Sequence, residues 1–141
     1  MAWRRLTFPR IQTVGLIFTL LTVISAFSQS GQNLEDVGHA ELSALLNRHL
    51  KSGQLLEAAP VLAEFRKRML SGELPKRNLE KVSYYIGLGY LDGYSQTEGL
   101  HYLKEAAKEF QHYIDTFPRG ADIHYVVINR VECHRGFRGI C

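Results

Sequence analysis

The chain has 141 residues, with 17 lysines and arginines against 14 aspartates and glutamates, and a formal charge of +3. Arg4, Arg5 and Arg10 supply that whole excess, because residues 1–28 hold no acid and the remainder balances at 14 against 14. A neutral remainder of about 113 residues argues against a nucleic-acid partner, which a basic surface would announce, and suffices for one modest core rather than two.

In chain order, the first element serves export. Three arginines precede an uncharged, mostly apolar run from Ile11 to Phe27, and small residues Ala26 and Ser28 stand just before Gln29. Basic start, apolar middle and small-residue exit are the layout of a secretory signal peptide covering residues 1–28. The other reading of this stretch is a retained membrane anchor, at the short end of what spans a bilayer. Membrane contact is expected only in that case. The protein is accordingly expected outside the cytoplasm, in a periplasmic or extracellular setting.

From Asp36 to Lys51, Leu42, Leu45, Leu46 and Leu50 mark one helix face, and after Gly53 the positions Leu55, Ala58, Ala59, Leu62, Phe65 and Met69 mark a second. Pro60 is expected near the start of that second helix, where its missing N–H costs least. Gly72 and Pro75 then break the chain. The cations Arg66, Lys67 and Arg68, and Lys76 with Arg77, read as solvated groups around that helix end, where they favour the macrodipole.

A third helix starts at Leu79, with Val82, Ile86 and Tyr90 on one side, and is expected to halt around "LDGYSQTEG". The fourth, from about Thr97 to Thr116, carries Leu103, Ala106, Ala107, Phe110, Tyr113, Ile114 and Phe117 as its stripe. Pro118 and Gly120 end it, the glycine by its flexible φ. The last segment, Ala121 to Arg135, is dense in β-branched residues, so a strand competes with the helix that its place in the series favours.

Helix pairs with an inner turn and a sharper break recur through the chain. "YIGLGY" places Ile86, Gly87 and Tyr90, and "AAKEFQHYIDTFP" places Ala106, Phe110 and Pro118, at intervals that resemble the tetratricopeptide repeat family. In "KSGQLLEA", Gly53 and Ala58 look like the family's inter-helix turn and the close-packing position of its second helix. The chain departs from the family at Ser83, which takes the place of a bulky residue, and in about seven extra residues around "YSQTEGLHY", expected to lengthen a turn. The resemblance implies an all-α fold of about five helices, stacked as antiparallel pairs in a short α-solenoid. Units fall at about residues 38–75 and 78–118, with a partial third at 121–141.

Independently of any family, Gly87 and Ala106 are small enough to let two helices approach, with Tyr90 and Phe110 filling the remaining volume. Such pairs bury their apolar faces only by stacking.

The chemistry visible in the sequence is sparse. Six histidines show no HExxH spacing, and no nucleophile elbow, phosphate-binding loop or paired-carboxylate motif is present, so neither catalysis nor a cofactor is expected. Cys133 and Cys141 are open to three readings: a disulfide in an oxidising compartment, a small core residue beside a free thiol, or two metal donors with His134 and no assigned fourth ligand. Most of the tyrosines are at helical spacing and read as packing.

The family resemblance implies a groove lined by the first helix of each pair, which holds partner peptides. The positions it marks are Asn47, then Tyr84 and Leu88, then Tyr125 and Asn129. The matching slots of the family's carboxylate-clamping subgroup hold Ser43, Tyr85, Asp122 and Val126, which argues against capture of an acidic C-terminal tail. The function expected is a non-catalytic interaction module that binds a protein or peptide of the cell envelope. The alternative is a structural N-terminal segment of a longer repeat protein or enzyme accessory, with no groove ligand. Tyr125, Val126, Val127, Ile128 and Val131 spread over more than one helix face, so the last segment is also the expected place of homo-oligomer formation.

Overall fold

Residues 33–138 are described by the computed structural model. Residues 1–28, expected as a signal peptide, and Cys141, with the disulfide raised for it, lie outside the described residues. From Leu34 onward these residues form one compact unit of five helices, with no strand among them. The helices are α1 (His39–Lys51), α2 (Leu55–Ser71), α3 (Leu79–Thr97), α4 (Leu100–Thr116) and α5 (Ile123–Arg138), each packed against the next. Single-turn 3₁₀ segments at Leu34–Asp36 and Lys76–Asn78 lead into α1 and α3.

The turn between α1 and α2 forms as its glycine requires. Gly53 has φ of 71°, and the amides of Gly53 and Gln54 return to the carbonyls of Leu50 and His49, so the end of α1 is satisfied from its own chain. Gly72, with φ of 88°, ends α2 in the same left-handed region.

The core is a series of layers rather than one centre. Val37, Leu42, Val61 and Phe65 join α1 to α2, while Ala58, Leu62, Met69, Val82 and Ile86 join α2 to α3. Leu103, Ala106, Phe110, Tyr113, Val126 and Cys133 join α4 to α5, with Tyr84, Leu88 and Tyr94 of α3 against them. α2 and α3 thus each give one flank to one layer and another to the next, which is how a stack of pairs hides apolar surface that no pair hides alone. The fully buried Val126 and Cys133 lie seven residues apart on the α4 side of α5. Burial at that spacing makes the segment helical despite its β-branched content.

Several local expectations are corrected. Pro60 lies at the sixth residue of α2, inside the helix rather than in its first turn. The extra residues after Tyr90 do not lengthen a turn: α3 runs on to Thr97, and only Glu98 and Gly99 separate it from α4. The second half of α3 crosses the start of α2, and small residues permit the approach. A Cβ at Gly89 would stand 2.6 Å from the Leu55 carbonyl oxygen and 2.9 Å from Ala59, and one at Gly93 would stand 2.9 Å from Leu56. Asp92 adds an acceptor there, with its carboxylate taking the Leu56 amide at 3.3 Å, so α3 caps the positive end of α2.

Gly120 is not selected for a left-handed φ, since the positive-φ glycines among the described residues are Gly53 and Gly72. A Cβ at Gly120 would sit 2.5 Å from the Tyr113 hydroxyl and 2.7 Å from Glu80 Oε1, so space decides the residue.

The cations after Phe65 do not form one solvated cluster. Arg66 of α2 pairs with Glu109 of α4 through both guanidinium ends, at 2.5 and 3.1 Å. Arg68 is buried, donating to Glu64 at 2.8 Å and to the carbonyls of Leu34, Glu35 and Val37. It ties the approach to α1 onto α2. Lys67, paired with Glu35, is exposed as expected, and so are Lys76 and Arg77.

Candidate functional site

Two surfaces hold the side chains expected to line a groove. The first is a cleft of about 310 Å³ bounded by α1, α2 and the approach to α3. Its apolar wall is Leu46, Phe65, Met69, Leu74 and Val82, which are the outer edges of the first two core layers. Its polar rim is His39, Ser43 and Asn47 from successive turns of α1, with Arg77 and Asn78 from the 3₁₀ turn opposite.

The spacing of four between His39, Ser43 and Asn47 places all three on one stripe of α1. The His39 ring stands edge-on to Phe65, with centroids 5.6 Å apart. Arg77 forms no ion pair among the described residues, in contrast to Arg66 and Arg68 on the neighbouring helix.

The second surface lies where α3 meets α5. Tyr84 is half-buried, with its ring 6.2 Å from that of Tyr113 and 6.4 Å from that of Phe110. Burial raises the Tyr84 hydroxyl above the usual tyrosine range; the Asp122 carboxylate adds to this, and a hydrogen bond from Asn129 opposes it. Leu88 is partly buried against the same layer. Tyr125 remains 59% exposed beside them. The structure therefore brings Tyr84 and Asn129 into contact, keeps Leu88 in the packing below, and places Asn47 in the separate cleft.

A part-buried polar knot anchors this second surface. The Tyr113 hydroxyl donates to Glu80 at 2.5 Å and accepts the Asp122 amide at 3.2 Å, so α3, α4 and the start of α5 share one hydroxyl. The bond from Tyr113 holds the Glu80 carboxyl below its ordinary range, helped by the amides of Ala121 and Asp122 against the cost of burial. Burial and the same carboxylate push Tyr113 well above the usual tyrosine value. Next to this layer the Ser83 hydroxyl is buried with no hydrogen-bond partner among the described residues. Cys133 is buried, and burial pushes its thiol up to about 11. A thiol so placed packs as a small apolar group at neutral pH.

Sequence reading placed Asn47 in a groove, marked Ser43 only as a slot without a clamping residue, and took Leu46, Phe65, Met69 and Val82 as packing. His39 and Ser43 share its stripe and were within reach of the same spacing argument. Leu74 and Asn78 lie in the stretch read only as a break, Arg77 is read there as a solvated cation, and nothing in their spacing tells how a turn folds back against α1.

Compared with family models, with curated proteins and with solved structures, the chain finds no match. The repeat reading rests on the chain's own spacing and packing. Among the described residues no helix is long and apolar enough to cross a membrane, and no three His, Cys, Asp or Glu side chains gather as a metal site requires.

Proposed function

We propose that this chain is an exported, non-catalytic interaction module of the tetratricopeptide-like kind, holding a protein or peptide of the cell envelope against the face shared by α1, α3 and α5. The observation that carries the reading is the cleft beside α1. A folded stack has left an apolar wall open there, with polar groups around it, and binding sites are commonly concave, apolar and edged by a few polar groups in this way. Support for export comes from the basic, apolar and small-residue layout of residues 1–28.

The test is capture from an envelope extract by the protein without its leader, with the captured species identified and its binding repeated in purified form. Ser43→Trp, which obstructs the cleft, and Asn129→Trp, on the α3–α5 surface, are expected to reduce that binding, and Lys104→Glu on α4 to leave it intact. A purified partner that binds all of these variants equally would place the contact elsewhere and remove the groove from the reading.

One observation favours the second reading, a structural segment of a longer array. Tyr125, Val127, Ile128 and Val131 of α5 are exposed by 43 to 59% on the sides away from α4. A further helix or a second copy of the chain would cover them in that case.

A further inference from the structure

Resting on the interaction-module reading, we infer that the cleft beside α1 recognises an internal segment of a partner protein in which an apolar side chain stands next to a carboxylate side chain. The argument is one of complementarity between a small apolar floor and a one-signed rim. At about 310 Å³ the cleft lies at the low end of ligand sites, which run from roughly 300 to 1,000 Å³. It suits one or two side chains of an extended segment. Phe65, Met69 and Val82 at its base offer dispersion and desolvation to an aliphatic or aromatic side chain.

The rim then selects the neighbour of that side chain. Its charged or polar members are His39, Ser43, Asn47, Arg77 and Asn78, with no aspartate or glutamate among the residues lining the cleft. Each can donate a hydrogen bond, and Arg77 presents a planar fork suited to a carboxylate. The side chains of Ser43, Asn47, Arg77 and Asn78 have no hydrogen-bond or ion-pair partner among the described residues, so their donors are unspent inside the fold.

That distinguishes Arg77 from the two arginines of α2. Arg66 is neutralised by Glu109, and Arg68 is consumed by Glu64 and three carbonyls. Of the nearest acids in sequence, Glu80 accepts the Tyr113 hydroxyl and Glu73 the Ser71 hydroxyl, and neither is part of the lining. A basic partner would meet a cation with nothing to pair it, and an apolar partner alone would cover Arg77 at a desolvation cost. A carboxylate one or two residues from an apolar anchor satisfies both parts of the cleft.

The experiment is fluorescence anisotropy of the protein without its leader, titrated into a short labelled peptide blocked at both ends, in which leucine and phenylalanine alternate with aspartate. Saturable binding is expected, weakened at least about tenfold when asparagine replaces aspartate, since charge-assisted hydrogen bonds contribute about 1.5–3 kcal/mol and 1.4 kcal/mol is a factor of ten. Arg77→Glu, at an exposed position, is expected to lose the aspartate peptide by at least the same factor while its melting temperature stays that of the parent. Ser43→Trp is expected to remove both peptides. Equal affinity for the aspartate and asparagine peptides would overturn the carboxylate preference while leaving an interaction module standing. Binding that survives Ser43→Trp, or no binding of the aspartate peptide at all, would overturn the cleft as its site. Failure to capture any envelope protein would instead count against the parent reading.

Discussion

Gly87 sits on the α4 side of α3, where a Cβ would run into the Phe110 ring, and Ala106 beside it has no exposed surface. Gly87→Leu and Ala106→Leu are each expected to cost about 1–3 kcal/mol by overpacking. Lys104→Ala and Lys108→Ala, both at exposed positions, should stay within about 0.5 kcal/mol. Thermal or urea unfolding of the four variants reads the difference, and equal stabilities would refute the close contact.

Glu80 makes a second prediction at this scale. Its folded-state carboxyl is held below its ordinary value of 4.5, chiefly by the Tyr113 hydroxyl, so its contribution is present above that pH and is lost as pH falls through the lowered folded value. Glu80→Gln is expected to cost about 1 kcal/mol at neutral pH, the difference between a charged and a neutral acceptor, and to flatten the acid limb below about pH 4.5. Tyr113 works on the other limb. Raised in the folded state, it contributes stability below its ordinary value of 10.0 that is lost as pH rises beyond it, and Tyr113→Phe is expected to flatten that alkaline decline. Denaturant midpoints across the pH range check both.

Among the elements, α1 is held at its entrance by a side chain from another helix. Arg68 of α2 gathers the carbonyls of Leu34, Glu35 and Val37, so Arg68→Met is expected to cost about 1–3 kcal/mol and to release amide protection in the first turn of α1 before the other helices respond. Hydrogen exchange followed by residue measures this, and unchanged protection at Leu42 would show that the apolar layer holds the element alone.

The element at the other end, α5, carries the association prediction. Val127 and Val131 are 44% and 43% exposed on the side away from α4, and residues 29–141, formally neutral, have little net charge to oppose contact between copies. Sedimentation at several concentrations is expected to show self-association that Val127→Glu or Val131→Glu removes. A parent chain that stays monomeric at every concentration would show that this side is left open or already covered.

At the scale of the whole molecule, export predicts a product beginning at or near Gln29, and the intact mass of protein recovered from cells decides it. A full-length, membrane-extracted species would favour the retained anchor. The five helices and the layering of the core are legible in the amino-acid sequence, because apolar residues at helical spacing need the same burial whatever their neighbours are, and glycine at Gly53 and Gly72 marks turns through its own φ. Legibility stops where the outcome depends on residues distant in the chain. Where within "LDGYSQTEG" α3 stops, at Thr97, depends on room beside Leu55 and Leu56, more than thirty positions away, and Gly120 owes its place to Tyr113 and Glu80. The same holds for Arg77: it is exposed, as a cation near a proline is expected to be, but only folding makes it line one cleft with Asn47. Local spacing and conformational preference act along the chain and are written in it, whereas the contents of a cleft are set by which segments the tertiary packing brings face to face.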